Sequence, residues 1–269
     1  MKNRTEQIVI MRGGGDVASG TIQKLHRCGF KVLVLEIAKP TAIRRKVSFS
    51  DVVYESEVVI EGDRARLVDS IEEIEKCWDQ GIIPVKIDPK GKSIESIQPD
   101  VVVDAILAKK NLGTRIDLAP IVIGLGPGFE VGQDVNAIVE TMRGHNLGRV
   151  IFSGSAMPNT GIPGNIAGHA KDRVIYSPNA GEIKLIKDIG DSVEKDEVIA
   201  HVEGEAVLAT LTGILRGIIR DETVVFKGMK IGDVDPRLDQ KENCYKISDK
   251  ARNIAGGVLE AILSLDCKL

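Results

Sequence analysis

The chain has 269 residues, 43% of them apolar and 28% charged, with a formal net charge of −3. That length holds one large or two modest domains, and the slight acidic balance argues against nucleic acid as the default partner, because such binders usually carry a basic surplus. No apolar run approaches the roughly 18–20 residues that span a bilayer, and Met1–Gln7 lacks a signal-peptide pattern, so a cytoplasmic protein without a membrane partner is expected.

In chain order, residues 8–36 read as strand, helix, strand. Ile8-Val9-Ile10 is the first strand, Ile22 and Leu25 mark a helical stripe that Gly29 ends, and Val32–Leu35 is the second strand. Val47–Phe49, Val52–Tyr54, Val58–Ile60 and Ala65–Val68 are short β-type pieces of a hairpin excursion, turning at Glu61-Gly62-Asp63. Asp69 is read as the cap of a helix to Asp79. Strands follow at Ile82–Ile87, Val101–Ala105 and Ile121–Ile123, whose continuous Val/Ile runs suit burial on both faces. Val135–Met142 is read as helical. The expected first domain, residues 1–170, is thus a Rossmann-like α/β sheet of about five parallel strands.

Residues 171–240 contain an internal repeat at an offset of 32: Gly181 matches Gly213, Ile183 Leu215, Val193 Val225 and Ile199 Ile231. The pattern is that of a small all-β barrel-sandwich hybrid of the biotinyl/lipoyl type. Its hairpin tip, His201–Ala206, carries no lysine, so no swinging arm is expected. Residues 241–269 supply a C-terminal helix from Ser248 to Leu265, with Ala251, Ile254, Val258 and Ile262 on its apolar face. Packing back on the α/β domain would explain why it tolerates Gly256-Gly257.

Ten of the 28 glycines lie between Gly124 and Gly168, so the loops there must turn sharply or approach something closely. Gly13-Gly14-Gly15-Asp16-Val17-Ala18 matches G-x-G-x-x-G/A between strand and helix, Ser19 and Gly20 extend the loop into a helix N-terminus, and Glu36 lies 21 residues after Gly15, where a dinucleotide fold places its ribose carboxylate. Asp16 runs against that reading, because a carboxylate repels a pyrophosphate. Lys109, Lys110 and Asn111 follow a central strand and offer cations to a phosphate, and Gly126 and Gly128 follow the next. Arg44 and Arg45 suit either a 2′-phosphate or solvent. Arg143 and His145 precede the polar loop Gly154–Gly164, which includes Asn159, Thr160 and Gly161. His145 is the best general acid–base candidate there. The four cysteines, Cys28, Cys77, Cys244 and Cys267, form no CxxC and are expected as thiols, and the histidines show no metal-ligand spacing, so no metal site is expected.

Five strings carry a family resemblance: Arg12–Gly20, Asp104–Asn111, Glu140–Gly148, Asn159–Gly164 and Gly232–Arg237. With them the chain resembles the YqeB-type family of selenium-dependent molybdenum hydroxylase accessory proteins, and its N-terminal part is similar to the nucleotide-binding half of XdhC-type maturation factors. The resemblance implies a maturation role for a client molybdenum hydroxylase, with molybdenum cofactor or NAD(P) as the phosphate-bearing ligand of the glycine-rich crevice. An NAD(P)-dependent oxidoreductase, with Glu36 or Arg44 selecting the cofactor, and a non-catalytic scaffold are the alternatives. A homodimer is the default assembly.

Overall fold

The computed structural model describes residues 3–161 and 168–267, in two compact units. The first comprises Met1–Pro40, Ser48–Asn159 and Ile247–Leu269, and the second Thr41–Val47 and Thr160–Lys246. Among the described residues, no helix is long and apolar enough to cross a membrane.

The first unit is built on nine strands: β1 (Ile8–Arg12), β2 (Lys31–Glu36), β3 (Glu57–Ile60), β4 (Asp63–Leu67), β5 (Ile83–Ile87), β6 (Val101–Asp104), β7 (Ile121–Leu125), β8 (Ala137–Val139) and β9 (Val150–Ile151). They form one sheet in the order β3-β4-β5-β2-β1-β6-β7-β8-β9. The seven central strands are parallel, while β3 and β9 run antiparallel to their neighbours. Its helices are α1 (Asp16–Arg27), α2 (Val52–Glu55), α3 (Ile71–Asp79), α4 (Lys92–Ile97) and α5 (Asp249–Asp266). The pleat sends Val9, Met11, Val34 and Val103 into one core with Ile22 and Leu25 of α1 and Ile254 and Val258 of α5. The alternate residues Ile10, Leu33, Val102 and Val122 join Ile74 of α3 and Ile94 of α4 on the other face.

This corrects the expected five-stranded Rossmann-like sheet. The β3–β4 hairpin is no excursion: β4 pairs with β5 in parallel, Ala65 against Ile83. Val135–Met142 contains strand β8 instead of a helix, since Ala137-Ile138-Val139 is buried on both faces between β7 and β9. Conversely, Phe49 and Val52, read as strand, lie in short helical turns, where burial in the α1 core overrides their β propensity.

Residues 174–235 of the second unit carry β10 (Val174–Tyr176), β11 (Gly181–Leu185), β12 (Ser192–Val193), β13 (Val198–Val202), β14 (Glu205–Leu208), β15 (Gly213–Ile218), β16 (Val224–Val225) and β17 (Lys230–Asp235). They form two four-stranded antiparallel sheets, β10-β17-β15-β12 and β14-β13-β11-β16, in place of the expected biotinyl/lipoyl barrel. The 32-residue repeat is realised strand for strand, and the copies exchange partners: β12 pairs with β15, and β16 with β11. Each copy lends one short strand to the other's sheet, so both close a shared core of Ile183, Ile199, Leu215 and Ile231. The Gly232–Arg237 string is spent on structure here. The buried Asp233 Oδ2 accepts from Arg173 and Arg216, and Asp235 accepts from Arg237. Arg44 and Arg45 are buried too, donating to the carbonyls of Asn243, Lys246 and Ile218, so neither is offered to a phosphate.

Helix α5 packs against α1 and against the loop after β8 through missing side chains. A Cβ on Gly20 would lie 2.6 Å from the backbone of Ala251, and one on Gly257 would lie 2.1 Å from the carbonyl oxygen of Gly148. A Cβ on Gly256 would meet nothing within 4 Å. The two adjacent glycines should therefore respond oppositely in denaturant unfolding. Gly256→Ala should gain up to about 1 kcal/mol of helix propensity, whereas Gly257→Ala should lose about 1–3 kcal/mol to overpacking.

Candidate functional site

Strand order reverses between β1 and β6, where an open parallel sheet leaves a crevice outside its carboxyl edge. Here the two strand ends are tied together by side chains of the chain itself. The buried Arg12, the last residue of β1, donates to Asp104, the last residue of β6, at 3.4 Å, and also to Thr114 Oγ1 and, at 3.2 Å, to the Leu112 carbonyl. Asp104 in turn accepts from Thr114 Oγ1 and, at 3.1 Å, from the Ile106 amide. A buried arginine–aspartate pair is sustained only when its remaining donors and acceptors are met in this way.

The glycine loop is likewise bound to protein. Gly13 donates to the Leu35 carbonyl and Gly14 to Glu36 Oε2, each at 2.8 Å. A Cβ on Gly13 would sit 3.1 Å from the Ala105 carbonyl, and one on Gly14 would sit 2.9 Å from the Ser50 amide. Ser19 Oγ accepts from the Phe49 amide, Ala18 is fully buried and Gly20 faces Ala251. Glu36 faces this loop instead of a ribose, and its other oxygen takes the Ile37 amide. Gly15 and Asp16 remain half-exposed at the start of α1.

Lys109 and Lys110 are exposed, whereas Asn111 holds its own loop by accepting from the Gly113 and Thr114 amides and donating to Asp134. Gly128 lies against the backbone of Lys110, and Gly126 against Thr141. Asn159, Thr160 and Gly161 are exposed. The remainder of that string, Ile162, Pro163 and Gly164, lies outside the described residues.

An open cleft lies farther along the sheet, beyond β8. A cleft of about 500 Å³ is lined by Glu140, Asn146, Arg149, Phe152, Ser155 and Met157, among others. Glu140 organises it. Its side chain is 2% exposed, Oε1 accepts from the Thr141 and Met142 amides at 2.7 Å each, and Oε2 accepts from the Met157 amide at 2.8 Å. One carboxylate thereby fixes both loops that border the cleft. Arg149 lines it too, and among the described residues its side chain makes no hydrogen bond or ion pair.

On the other side of Glu140 the first turn of α5 approaches. Gly148 packs against Asn253, and Arg143 ion-pairs with Asp249 at 3.2 Å. The half-buried Lys250 follows, and among the described residues it has no hydrogen bond or ion pair. Burial pushes its ammonium below the ordinary lysine range and the Arg143 cation adds to this, against the opposing pull of Asp16, Glu140 and Asp249. The fold thus gathers Asp16 and Arg143 around one lysine, while His145 stands exposed in the adjoining turn. Lys250, Arg149 and Glu140 were not singled out from the sequence. Arg149 carried no local signal, but a lysine in the first turn of a helix, where carboxylates are favoured, is an irregularity by which Lys250 could have been found.

No family model matches the chain. It is 49% identical over 259 residues to the protein YqeB of Escherichia coli (strain K12), described as uncharacterized, with 96% of this chain aligned. It spans about half the length of that protein, 48%. Among solved structures it is similar to the product-bound ectoine utilization protein EutE (DoeB) from Ruegeria pomeroyi, at 10% identity and TM-score 0.27, over 87% of this chain and 86% of that one. It is also similar to an aspartoacylase family protein from Mesorhizobium loti, at 12% identity and TM-score 0.29, over 86% and 85% of the two chains. A succinylglutamate desuccinylase/aspartoacylase from Rhodobacter sphaeroides matches at 14% identity and TM-score 0.26, over 85% and 84%. At these TM-scores the likeness transfers no activity. At the switch point, where that chemistry was expected, the strand ends carry the buried Arg12–Asp104 pair instead. The expected maturation role at that crevice, with its selenium and molybdenum chemistry, is corrected accordingly, as are the oxidoreductase and scaffold alternatives.

Burial raises the Glu36 carboxyl above its usual range, against the lowering effect of the Ile37 and Gly14 amides. A group raised by folding contributes stability below its unfolded pKa and loses it as pH rises through the folded value. Glu36→Gln has no such titration. Wild-type stability relative to Glu36→Gln should therefore fall between acid and neutral pH, read from denaturant midpoints. A difference that does not vary with pH would contradict this role for Glu36.

Proposed function

We propose that the chain binds a small phosphate-bearing molecule in the cleft beside Glu140, with Arg149 as its counter-charge. The observation that carries this reading is an arginine lining an open cleft with no partner among the described residues. A guanidinium presents a fork of donors that matches phosphate oxygens. Phe152 and Met157, 43% and 47% exposed, supply apolar surface for the body of the ligand, and apolar walls with a few placed polar groups are the usual make-up of small-molecule sites. The cleft opens at the carboxyl end of β8, the edge where parallel sheets bind ligands. Glu140 is withdrawn from the ligand because its oxygens are taken by three backbone amides, so its charge is met within the protein.

Calorimetric titration with inorganic pyrophosphate and nucleoside monophosphates tests this. Loss of one charge-assisted contact is worth about 1.5–3 kcal/mol, so Arg149→Ala should weaken binding by about ten- to a hundredfold. Arg149→Lys should recover only part of it. No binding by the wild type, or equal binding by Arg149→Ala, would overturn the proposal.

A further inference from the structure

The carboxyl edge of the first sheet leaves aliphatic side chains in solvent. Ile37 and Leu112 are each 46% exposed, and Ile87 and Ile106 each 38%. Register sets them side by side, since β5, β2, β1 and β6 are neighbours in that order. Ile87, which ends β5, pairs with Glu36, and Ile37 is the next residue after Glu36. Leu35 of β2 pairs with Arg12 of β1. A Cβ on Gly13, the residue after β1, would lie 3.2 Å from Ile106 Cα, just past β6, and the Leu112 carbonyl accepts from Arg12 at 3.2 Å. The four residues thus form a row across the strand ends, about 14 Å long for three strand spacings. Single exposed aliphatics are ordinary, but a row of them along one edge marks an interaction surface. Charge is uneven on the same edge. The carboxylates that end β2 and β6, and Asp88 after β5, turn inward: Glu36 onto the Gly14 and Ile37 amides, Asp104 onto Arg12 and Thr114, and Asp88 onto the Lys92 and Ser93 amides. The cations turn outward. Lys39, Lys90, Lys109 and Lys110 are exposed, and among the described residues none makes a hydrogen bond or ion pair. Lys39 shares a loop with Ile37, Lys90 with Ile87, and Lys109 with Ile106. The Lys90 loop reaches the row as well, because a Cβ on Gly91 would lie 4.0 Å from Arg12 Nε. In a chain of net charge −3 this edge is a cationic exception.

We propose that this edge docks an acidic segment of a partner protein, with aliphatic side chains among its carboxylates, laid extended across the strand ends. The charge pattern selects that occupant. Four unpaired ammonium groups around apolar side chains are complementary to carboxylates around apolar side chains. A second copy presenting the same face would set lysine against lysine. Side chains that are more than half covered project too little to enter a bilayer. The dimensions agree with an extended segment. At about 3.3 Å per residue, its alternate side chains fall about 7 Å apart on one side, so about five residues cross the row. Its aliphatic side chains pack against Ile87, Ile37 and Ile106, and its carboxylates reach the lysines of the three loops.

The test is fluorescence anisotropy with a fluorescein-labelled peptide of about nine residues in which leucine alternates with glutamate, long enough to cross the row. A second peptide carries serine in place of leucine. The wild-type chain should bind the leucine peptide, more weakly as salt is raised because the lysines are exposed. Lys39→Glu with Lys109→Glu, and separately Ile37→Asn with Ile106→Asn, should each weaken binding about tenfold or more. Far-ultraviolet circular dichroism should be retained in both, since all four side chains are exposed. Carbodiimide cross-linking of the leucine peptide to the wild-type chain should map to Lys39, Lys90, Lys109 and Lys110 in preference to Lys227, which is exposed on the second unit. That map is read on the wild-type chain, so it does not depend on a variant that folds. No binding of the leucine peptide, equal binding of the serine peptide, or cross-links spread evenly over Lys227 and the four edge lysines would overturn the proposal. Binding of phosphatidylserine vesicles in place of the peptide would also overturn it, by making the edge a membrane surface. Phosphate binding at Arg149 stands or falls separately, since neither peptide carries a phosphate.

Discussion

The Arg12–Asp104 pair decides what the carboxyl edge of the sheet is available for. It lies where strand order reverses, the place at which an open parallel sheet ordinarily admits a ligand. Both side chains are buried, and Thr114 and the Leu112 carbonyl take up donors that water would otherwise satisfy. A buried ion pair is tolerated only with such complete partnering. Its consequence is geometric: the loop after β6 is drawn over the end of β1, and Gly13 must be a glycine because it has a φ of +97° and the Ala105 carbonyl lies against it. Farther along the sheet, an open cleft lies at the end of β8.

Much of the first unit was legible as runs of apolar residues. β1, β2, β5, β6 and β7 are short Val/Ile stretches between turn signals, and the pleat alone sorts their side chains onto two faces. α3 was legible as well, although its cap is Ser70, which forms a capping box with Glu73, and not Asp69. α5 begins after Ser248, one of the two caps expected. The failures share a cause. Ala137–Val139 is too short for periodicity to separate strand from helix, and the helical turns at Phe49 and Val52 are set by contacts with α1, far away in sequence.

The glycines illustrate the limit more sharply. Their clustering showed that backbone must approach something closely, but a sequence does not say what is approached. At Gly14, Gly20, Gly128 and Gly257 the neighbour is the chain's own backbone. The G-x-G-x-x-G/A string is compatible with a dinucleotide, and Glu36 stands at the right distance, yet the carboxylate turns back onto the Gly14 amide. Glu140 is the same device used again: a carboxylate collecting backbone amides where two loops meet. Arg149 was invisible because its character comes from having no partner among the described residues, while Lys250 showed only as a lysine in the first turn of a helix, Asp16, Glu140 and Arg143 lying more than a hundred residues away.

Ligand binding is proposed at the end of β8 and not at the glycine loop. The most direct measurement is backbone amide chemical-shift mapping by NMR during titration with inorganic pyrophosphate. The expected shifts concentrate at Asn146, Arg149, Phe152, Ser153 and Ser155, with Gly13, Gly14 and Gly15 unmoved. Shifts centred on Gly13–Gly20, with the residues around Arg149 silent, would contradict it.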